Sequence, residues 1–165
     1  MSLFGKLFGK KNNDNPVDGL RAMVLASTPH DLGLTIAPNQ SFGVLMEMGM
    51  EGTVVTIASI ADGSVSMYIR DGQSIIGAGE HPEVRAEGLA FVAESTEFLK
   101  LMHKTDVTPL PGDGVVTFYI KTVAGTYTTS ARLATIEDNP IFPLFMKGQD
   151  VLTQIRLTTT RLDQR

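Results

Sequence analysis

The fold is decided by residues 41–76, which read SFGVLMEMGMEGTVVTIASIADGSVSMYIRDGQSII. In the first and last parts of this stretch apolar side chains recur at every second position, and the middle part is apolar on both faces. A period of two is typical of β-strands. The connections, residues 49–52 and the pair Asp62-Gly63, are too short for a parallel crossover. The stretch therefore predicts three antiparallel strands, with residues 74–76 as a short extension or a fourth strand.

Helical patterns flank these strands on both sides. Asn15 and Pro16 are a typical N-cap and first helical residue, and the helix that they begin should end before Pro29. Pro82 stands at a first-turn position and opens a longer amphipathic helix that can run to about Met102. The apolar side of this second helix is expected to cover the sheet.

Two more strands and a last helix complete the chain. Residues 116–120 and 127–133 alternate apolar with polar side chains on either side of a turn at Ala124-Gly125, which predicts a second hairpin. Residues 138–140, Asp-Asn-Pro, introduce a final helix. The predicted order is therefore α-β-β-β-α-β-β-α, the pattern of an α+β domain.

Residues 16–165 are thus expected to form a single α+β domain, an antiparallel sheet of about five strands flanked by helices. Over residues 40–160 the chain order and the element sizes resemble the profilin-like group, which includes roadblock and longin domains. The resemblance implies a five-stranded sheet between helices and a role as a small regulatory scaffold. No motif of that group is matched residue by residue, so the resemblance implies no site residues.

Two stretches carry a second resemblance. They are IIGAGEH at residues 75–81 followed by Val84-Arg85, and the residues Asn139-Pro140, Pro143-Leu144-Phe145, Gly148-Gln149 and Val151. In these stretches the chain is similar to a family of small bacterial proteins, and the similarity extends over nearly the whole chain after residue 20. The resemblance implies a bacterial origin and no particular reaction.

Residues 1–11, MSLFGKLFGKK, form a cationic stretch with three of the 14 basic side chains and none of the 18 acidic ones. On a helix its apolar side chains would share one side, away from the lysines. The apolar set is Leu3, Phe4, Leu7 and Phe8, and the lysines are Lys6, Lys10 and Lys11. Such a stripe binds weakly to an anionic membrane surface or to a partner's groove; the alternative is a frayed terminus. Residues 1–15 are therefore expected to be a flexible amphipathic segment and linker, with a weak peripheral contact at the inner membrane face.

The junction from Gly77 to Arg85 joins a strand end to a helix start, where backbone N–H groups and the helix dipole can receive an anion. Gly77 and Gly79 would shape this loop, and His81 and Arg85 would assist in binding a phosphate-bearing ligand. The pattern lacks the lysine of a phosphate-binding loop, and Pro82 removes one amide donor. The alternative is that the glycines only supply a sharp turn.

The composition narrows the classes of function. Of the 165 residues, 42% are hydrophobic and 19% charged, as in a folded domain, and there is no cysteine for a disulfide or a thiol nucleophile. A net charge of −4 disfavours nucleic acid as a partner. His30, His81 and His103 lack the spacing of metal ligands, so neither a metal site nor a cofactor is expected.

Met46, Met48 and Met50 stand two apart and would project to one face of the first predicted strand. Core packing explains such a row. The alternative is an adaptable binding surface, and an edge strand at this position would favour a homodimer.

No segment carries the residues of a known reaction, such as the serine elbow of a hydrolase. The leading hypothesis is therefore a non-enzymatic cytoplasmic interaction or regulatory domain, either monomeric or homodimeric, with a protein partner that the sequence does not identify. The alternative hypothesis is a sensor or enzyme that binds a phosphate-bearing small molecule at the junction from Gly77 to Arg85.

Overall fold

Seven strands form one antiparallel sheet in the computed structural model, which describes residues 15–163. In chain order, the helices and strands are α1 (Pro16–Ala26), β1 (Gly43–Met50), β2 (Thr53–Ile60), β3 (Val65–Ile69), β4 (Ser74–Ile75), α2 (Pro82–Ser95), β5 (His103–Thr105), β6 (Val115–Thr122), β7 (Gly125–Arg132) and α3 (Phe142–Asp163). Single segments of 3-10 helix lie at Ala78–Glu80, Thr96–Leu101 and Leu133–Asp138. The strand order across the sheet is β4-β3-β2-β1-β6-β7-β5.

The α+β class and the antiparallel sheet with flanking helices are confirmed, but the expected number of about five strands is wrong. The two extra strands are the short edges of the sheet: β4 has two residues and β5 has three. The sequence allows β4 as a short strand but gives no signal for β5, because three residues are too few to show a period of two. The helix expected to reach Met102 ends at Ser95 and continues as the 3-10 segment Thr96–Leu101.

The larger core lies between the sheet and the pair α2 and α3. β1 is at the centre of the sheet, since it pairs with β2 on one side and β6 on the other. Met46 and Met48 belong to this core, whereas Met50 is 45% exposed at the strand end. Core packing is therefore confirmed for the first two methionines. Gly148 of α3 lies so close to Met46 that an added Cβ would overlap its sulfur, which allows the helix to approach the sheet.

A smaller core lies on the opposite face of the sheet, under α1. Val17 and Val24 of the helix pack near Tyr68 and Tyr119 of the sheet. The predicted start of α1 is confirmed, because the Asn15 side chain accepts a hydrogen bond from the backbone N–H of Val17 at 3.0 Å and so caps the helix. The helix ends at Ala26, before Pro29, as the sequence predicts.

The predicted amphipathic segment lies outside the described residues. This applies to the apolar stripe of Leu3, Phe4, Leu7 and Phe8 and to Lys6, Lys10 and Lys11. None of the helices within residues 15–163 combines the length and the apolar character that crossing a bilayer requires.

Candidate functional site

A buried carboxylate stands at the centre of the sheet face that α1 covers. Glu47 of β1 is 0% exposed, and Arg21 of α1 donates from Nε to its Oε2 at 2.7 Å and from Nη2 to its Oε1 at 2.8 Å. The Thr56 hydroxyl donates to the same Oε2 at 2.7 Å. Bidentate hydrogen bonds between an arginine and a carboxylate are among the strongest hydrogen bonds in proteins. The ion pair between Glu47 and Arg21 thus links β1 of the sheet to α1.

The same arginine holds the loop that follows β5. Arg21 Nη2 also donates to the Thr108 carbonyl at 2.7 Å, and its guanidinium lies 5.7 Å from the centre of the Tyr119 ring. The Tyr119 hydroxyl donates to the Pro109 carbonyl at 2.6 Å. Burial and the nearby Glu47 carboxylate raise the pKa of Tyr119, which keeps this donor protonated. The loop of residues 106–114 is therefore fixed across the face of β6.

β7 is the least covered of the long strands. None of its eight residues is buried, whereas seven of the eight in β6 and in β1 are. On the side away from β6, β7 pairs with β5 over residues 126–128, and residues 129–132 have no partner on that side in the part of the chain that the structure describes. Ser130 and Arg132 are exposed there. This end of β7 is a partly open sheet edge.

A concave surface adjoins that edge. Between the loop of residues 106–114 and the floor formed by β5, β6 and β7 lies a cavity of about 550 Å³, which we call the outer groove. Its apolar lining includes Val107, Leu110 and Val115, and its floor carries the hydroxyls of Thr117, Thr128 and Ser130. Thr117 and Ser130 share a hydrogen bond of 2.8 Å. The outer groove thus offers apolar walls and hydroxyl groups beside an open strand edge.

A second concave surface lies at the C-terminal end of α1. Two cavities of about 480 and 550 Å³ adjoin there and share Ala26, Gly125 and Thr126. Lys121 of β6 lines the larger one, is 5% exposed, and donates from Nζ to the Leu25 carbonyl. Burial lowers the pKa of Lys121 to about 8.

Sequence reasoning missed both buried charges. A hint exists, because Glu47 and Lys121 each stand in a strand that is otherwise apolar or hydroxylic. In a sheet open to water on one face, a charge at every second position is normal. Their importance becomes visible only when α1 and the segment after it are seen to cover this face.

The predicted junction is formed largely as the sequence suggests. Gly77 has a φ of 75°, in the left-handed region, and leads into the 3-10 segment Ala78–Glu80, after which α2 starts at Pro82. A Cβ added at Gly79 would overlap the Gly63 carbonyl oxygen in the turn between β2 and β3. That close approach accounts for Gly79 without a ligand.

The side chains of Arg85 and His81, which were expected to bind a ligand, have structural surroundings at the junction. The Arg85 guanidinium lies against Gly63, where an added Cβ would overlap it. His81 is the N-cap residue of α2 but makes no side-chain capping bond. The backbone N–H groups of Glu80 and His81 already donate to the carbonyls of Gly77 and Ala78, both at 3.1 Å. Two of the amides that an anion would need are therefore engaged.

The histidines are dispersed over the fold. His30 follows α1, His81 precedes α2, and His103 begins β5. Within residues 15–163, no three histidine or acidic side chains lie close enough together to hold a metal ion.

Comparison with known proteins gives no relative from which a function could be transferred. No protein-family profile, no curated protein and no solved structure matches the chain.

Proposed function

We propose that this protein is a non-enzymatic interaction or regulatory domain that binds an extended segment of a partner protein along the outer edge of β7. The observation that supports the proposal is the pairing at that edge: on the side away from β6, β5 pairs with three residues of β7, and residues 129–132 have no strand partner on that side within the described residues. An open edge presents backbone N–H and C=O groups to a further strand. Strand addition is a recurrent mode of peptide recognition.

The outer groove supports the same proposal and gives it specificity. Side chains of an added strand alternate between the two faces of the sheet, so every second one would lie on the side of the outer groove. There they meet Val107, Leu110 and Val115. We therefore expect the partner segment to carry apolar side chains at alternate positions.

A partner segment fits this surface better than a second copy of the chain. A two-fold contact between identical surfaces must be self-complementary. Two β7 edges pairing along residues 129–132 would align four residues each and leave both concave outer grooves unfilled. The homodimer that the sequence suggests is therefore the competing outcome of the test.

The proposal includes the finer expectations from the sequence. Five long strands between helices support a profilin-like, roadblock-like architecture. A cytoplasmic location and a weak membrane or partner contact through residues 1–11 belong to the same proposal, and so does a bacterial origin.

Site-specific photo-crosslinking in the native cells tests the proposal. A benzophenone side chain is placed at Ser130, on the floor of the outer groove, or at Val107, in its wall; Val107 is 69% exposed. The control position is Thr153, which is exposed on α3. We expect one protein to be captured from both groove positions and not from the control. A synthetic peptide covering its crosslinked segment should then protect from hydrogen exchange those amides of residues 129–132 that point away from β6.

Two outcomes contradict the proposal. Crosslinks from Ser130 that join two copies of the chain would show the homodimer instead. A captured protein whose crosslinked peptide leaves the exchange of residues 129–132 unchanged would show that contact with β7 is incidental.

The alternative function, a sensor of phosphate-bearing molecules, retains one favourable observation: Arg85 is exposed in the first turn of α2, eight residues after the left-handed Gly77. Its test is a thermal-shift series with inorganic phosphate, nucleotides and sugar phosphates, because binding to the folded state alone raises Tm. We expect no shift. A rise in Tm that both His81→Ala and Arg85→Ala abolish would favour the sensor.

A further inference from the structure

Lys121 is a buried cation without an acidic partner. It is 5% exposed, and no carboxylate of the described residues lies within ion-pair distance of it. An ammonium group has three N–H donors, and the structure gives this one a single acceptor, the Leu25 carbonyl. Lys121 Nζ lies 5.5 Å from the centre of the Phe42 ring, which adds a cation–π contact. Buried charges are normally paired, so this arrangement is incomplete.

The open cavity beside Lys121 is large enough for a small molecule. Its volume of about 550 Å³ falls in the usual range for such pockets. Leu34, Ile36 and Phe42 give it apolar walls, and Lys121 is the cation among its lining residues, with His30 as the other titratable group. The adjoining cavity contributes Arg21, which Glu47 neutralises, together with Lys104 and Asp106. The balance of charge around the two cavities favours an anion.

We propose that the cavity beside Lys121 binds a small carboxylate with an apolar body, whose carboxylate pairs with the Lys121 ammonium while its body lies against Leu34, Ile36 and Phe42. A charged head and an apolar body match the two kinds of lining that the cavity combines. The inference goes beyond the proposed function, because it does not require the edge of β7 or the outer groove.

Binding of such a ligand is linked to protonation. Burial depresses the pKa of Lys121, and a bound carboxylate stabilises the charged amine and so raises that pKa. Above about pH 8, binding therefore requires Lys121 to take up a proton from solution, whereas at pH 6.5 the amine is already charged. Affinity should fall as the pH rises from 8 to 10.

The test is a titration of the full-length protein with hexanoate, followed by amide chemical shifts. The comparison ligands are 1-hexanol, which keeps the apolar body without the charge, and hexylammonium, which reverses the charge. The variant is Lys121→Met, which keeps the aliphatic stem, and its matched control is Lys100→Met at an exposed lysine outside the cavity.

We expect hexanoate to shift the amides of Ile36 and Phe42, with at least tenfold weaker binding of hexanol and hexylammonium. Lys121→Met should weaken hexanoate binding by at least tenfold, and Lys100→Met should leave it unchanged. Calorimetry at pH 9 in buffers of different ionisation enthalpy should show proton uptake by the unaltered protein, and Lys121→Met should lack it.

The proposal is overturned if hexanoate and hexanol bind equally, or if Lys121→Met binds hexanoate as the unaltered protein does. Should Lys121→Met fail to fold, the ligand series and the proton uptake on the unaltered protein still decide. Failure of this test leaves the strand-addition proposal standing, since residues 129–132 of β7 do not line this cavity.

Discussion

Removing Arg21 should destabilise this fold more than the loss of any exposed ion pair. Its guanidinium makes two hydrogen bonds to Glu47, which is 0% exposed, and one to the Thr108 carbonyl. In an Arg21→Met variant the stem still packs, but the buried Glu47 keeps a single partner, the Thr56 hydroxyl. Breaking one side of a buried ion pair costs about 3–5 kcal/mol, because the remaining charge is left uncompensated.

The magnitude is large compared with the total stability of a domain, which is about 5–15 kcal/mol. With a urea dependence of about 1–3 kcal/mol per M, the midpoint of unfolding should fall by about 2 M. The double variant Arg21→Met with Glu47→Met removes both charges, and its midpoint should recover most of that loss, since replacing a buried pair by apolar side chains is often nearly neutral.

The control is a second ion pair on the same helix. Asp18 of α1 and Arg70 after β3 form a salt bridge with side chains 44% and 37% exposed. Exposed pairs contribute up to about 1 kcal/mol, so Asp18→Asn should change the midpoint little. Equal losses for Arg21→Met and Asp18→Asn, or no recovery in the double variant, would refute the reasoning that Glu47 is sealed under α1.

Three further predictions concern two glycines, Lys121 and residues 1–11. Gly79→Ala should destabilise the fold by about 1–3 kcal/mol, because its Cβ overlaps the Gly63 carbonyl. Gly19→Ala lies in α1 with open space around it and should stabilise the fold by up to about 1 kcal/mol. Urea unfolding measures both changes in stability, which should have opposite signs. The pKa of Lys121 is depressed to about 8 in the folded state, so the unfolded chain binds more protons than the folded one between pH 8 and 10.5. The free energy of unfolding should therefore rise with pH in that window, by up to about 3 kcal/mol relative to Lys121→Met. A rise of equal size in the variant would mean that other groups cause it. The full chain should co-sediment with anionic vesicles more than a chain that starts at Asn12, because three lysines and the apolar stripe are lost; equal sedimentation would discard the membrane contact.

Local patterns determined most of the elements in this protein. The period of two in residues 41–76 gave three antiparallel strands, and Asn15 with Pro16 marked the start of α1 because capping depends on side chains within a few residues. Pro82 marked the start of α2 for the same reason. The junction at Gly77 was also visible, since a left-handed turn is a property of the glycine itself.

Tertiary structure alone decided where the charged groups are buried and which edge is open. Arg21 and Glu47 are 26 residues apart, and no local pattern shows that a helix will seal that carboxylate. Lys121 belongs to a strand face that looks solvent-exposed in the sequence until α1 and the segment after it cover its end. The three residues of β5 become a strand only by pairing with β7. Periodicity and capping depend on neighbours along the chain, whereas the burial of a side chain and the pairing of an edge depend on which distant element covers it.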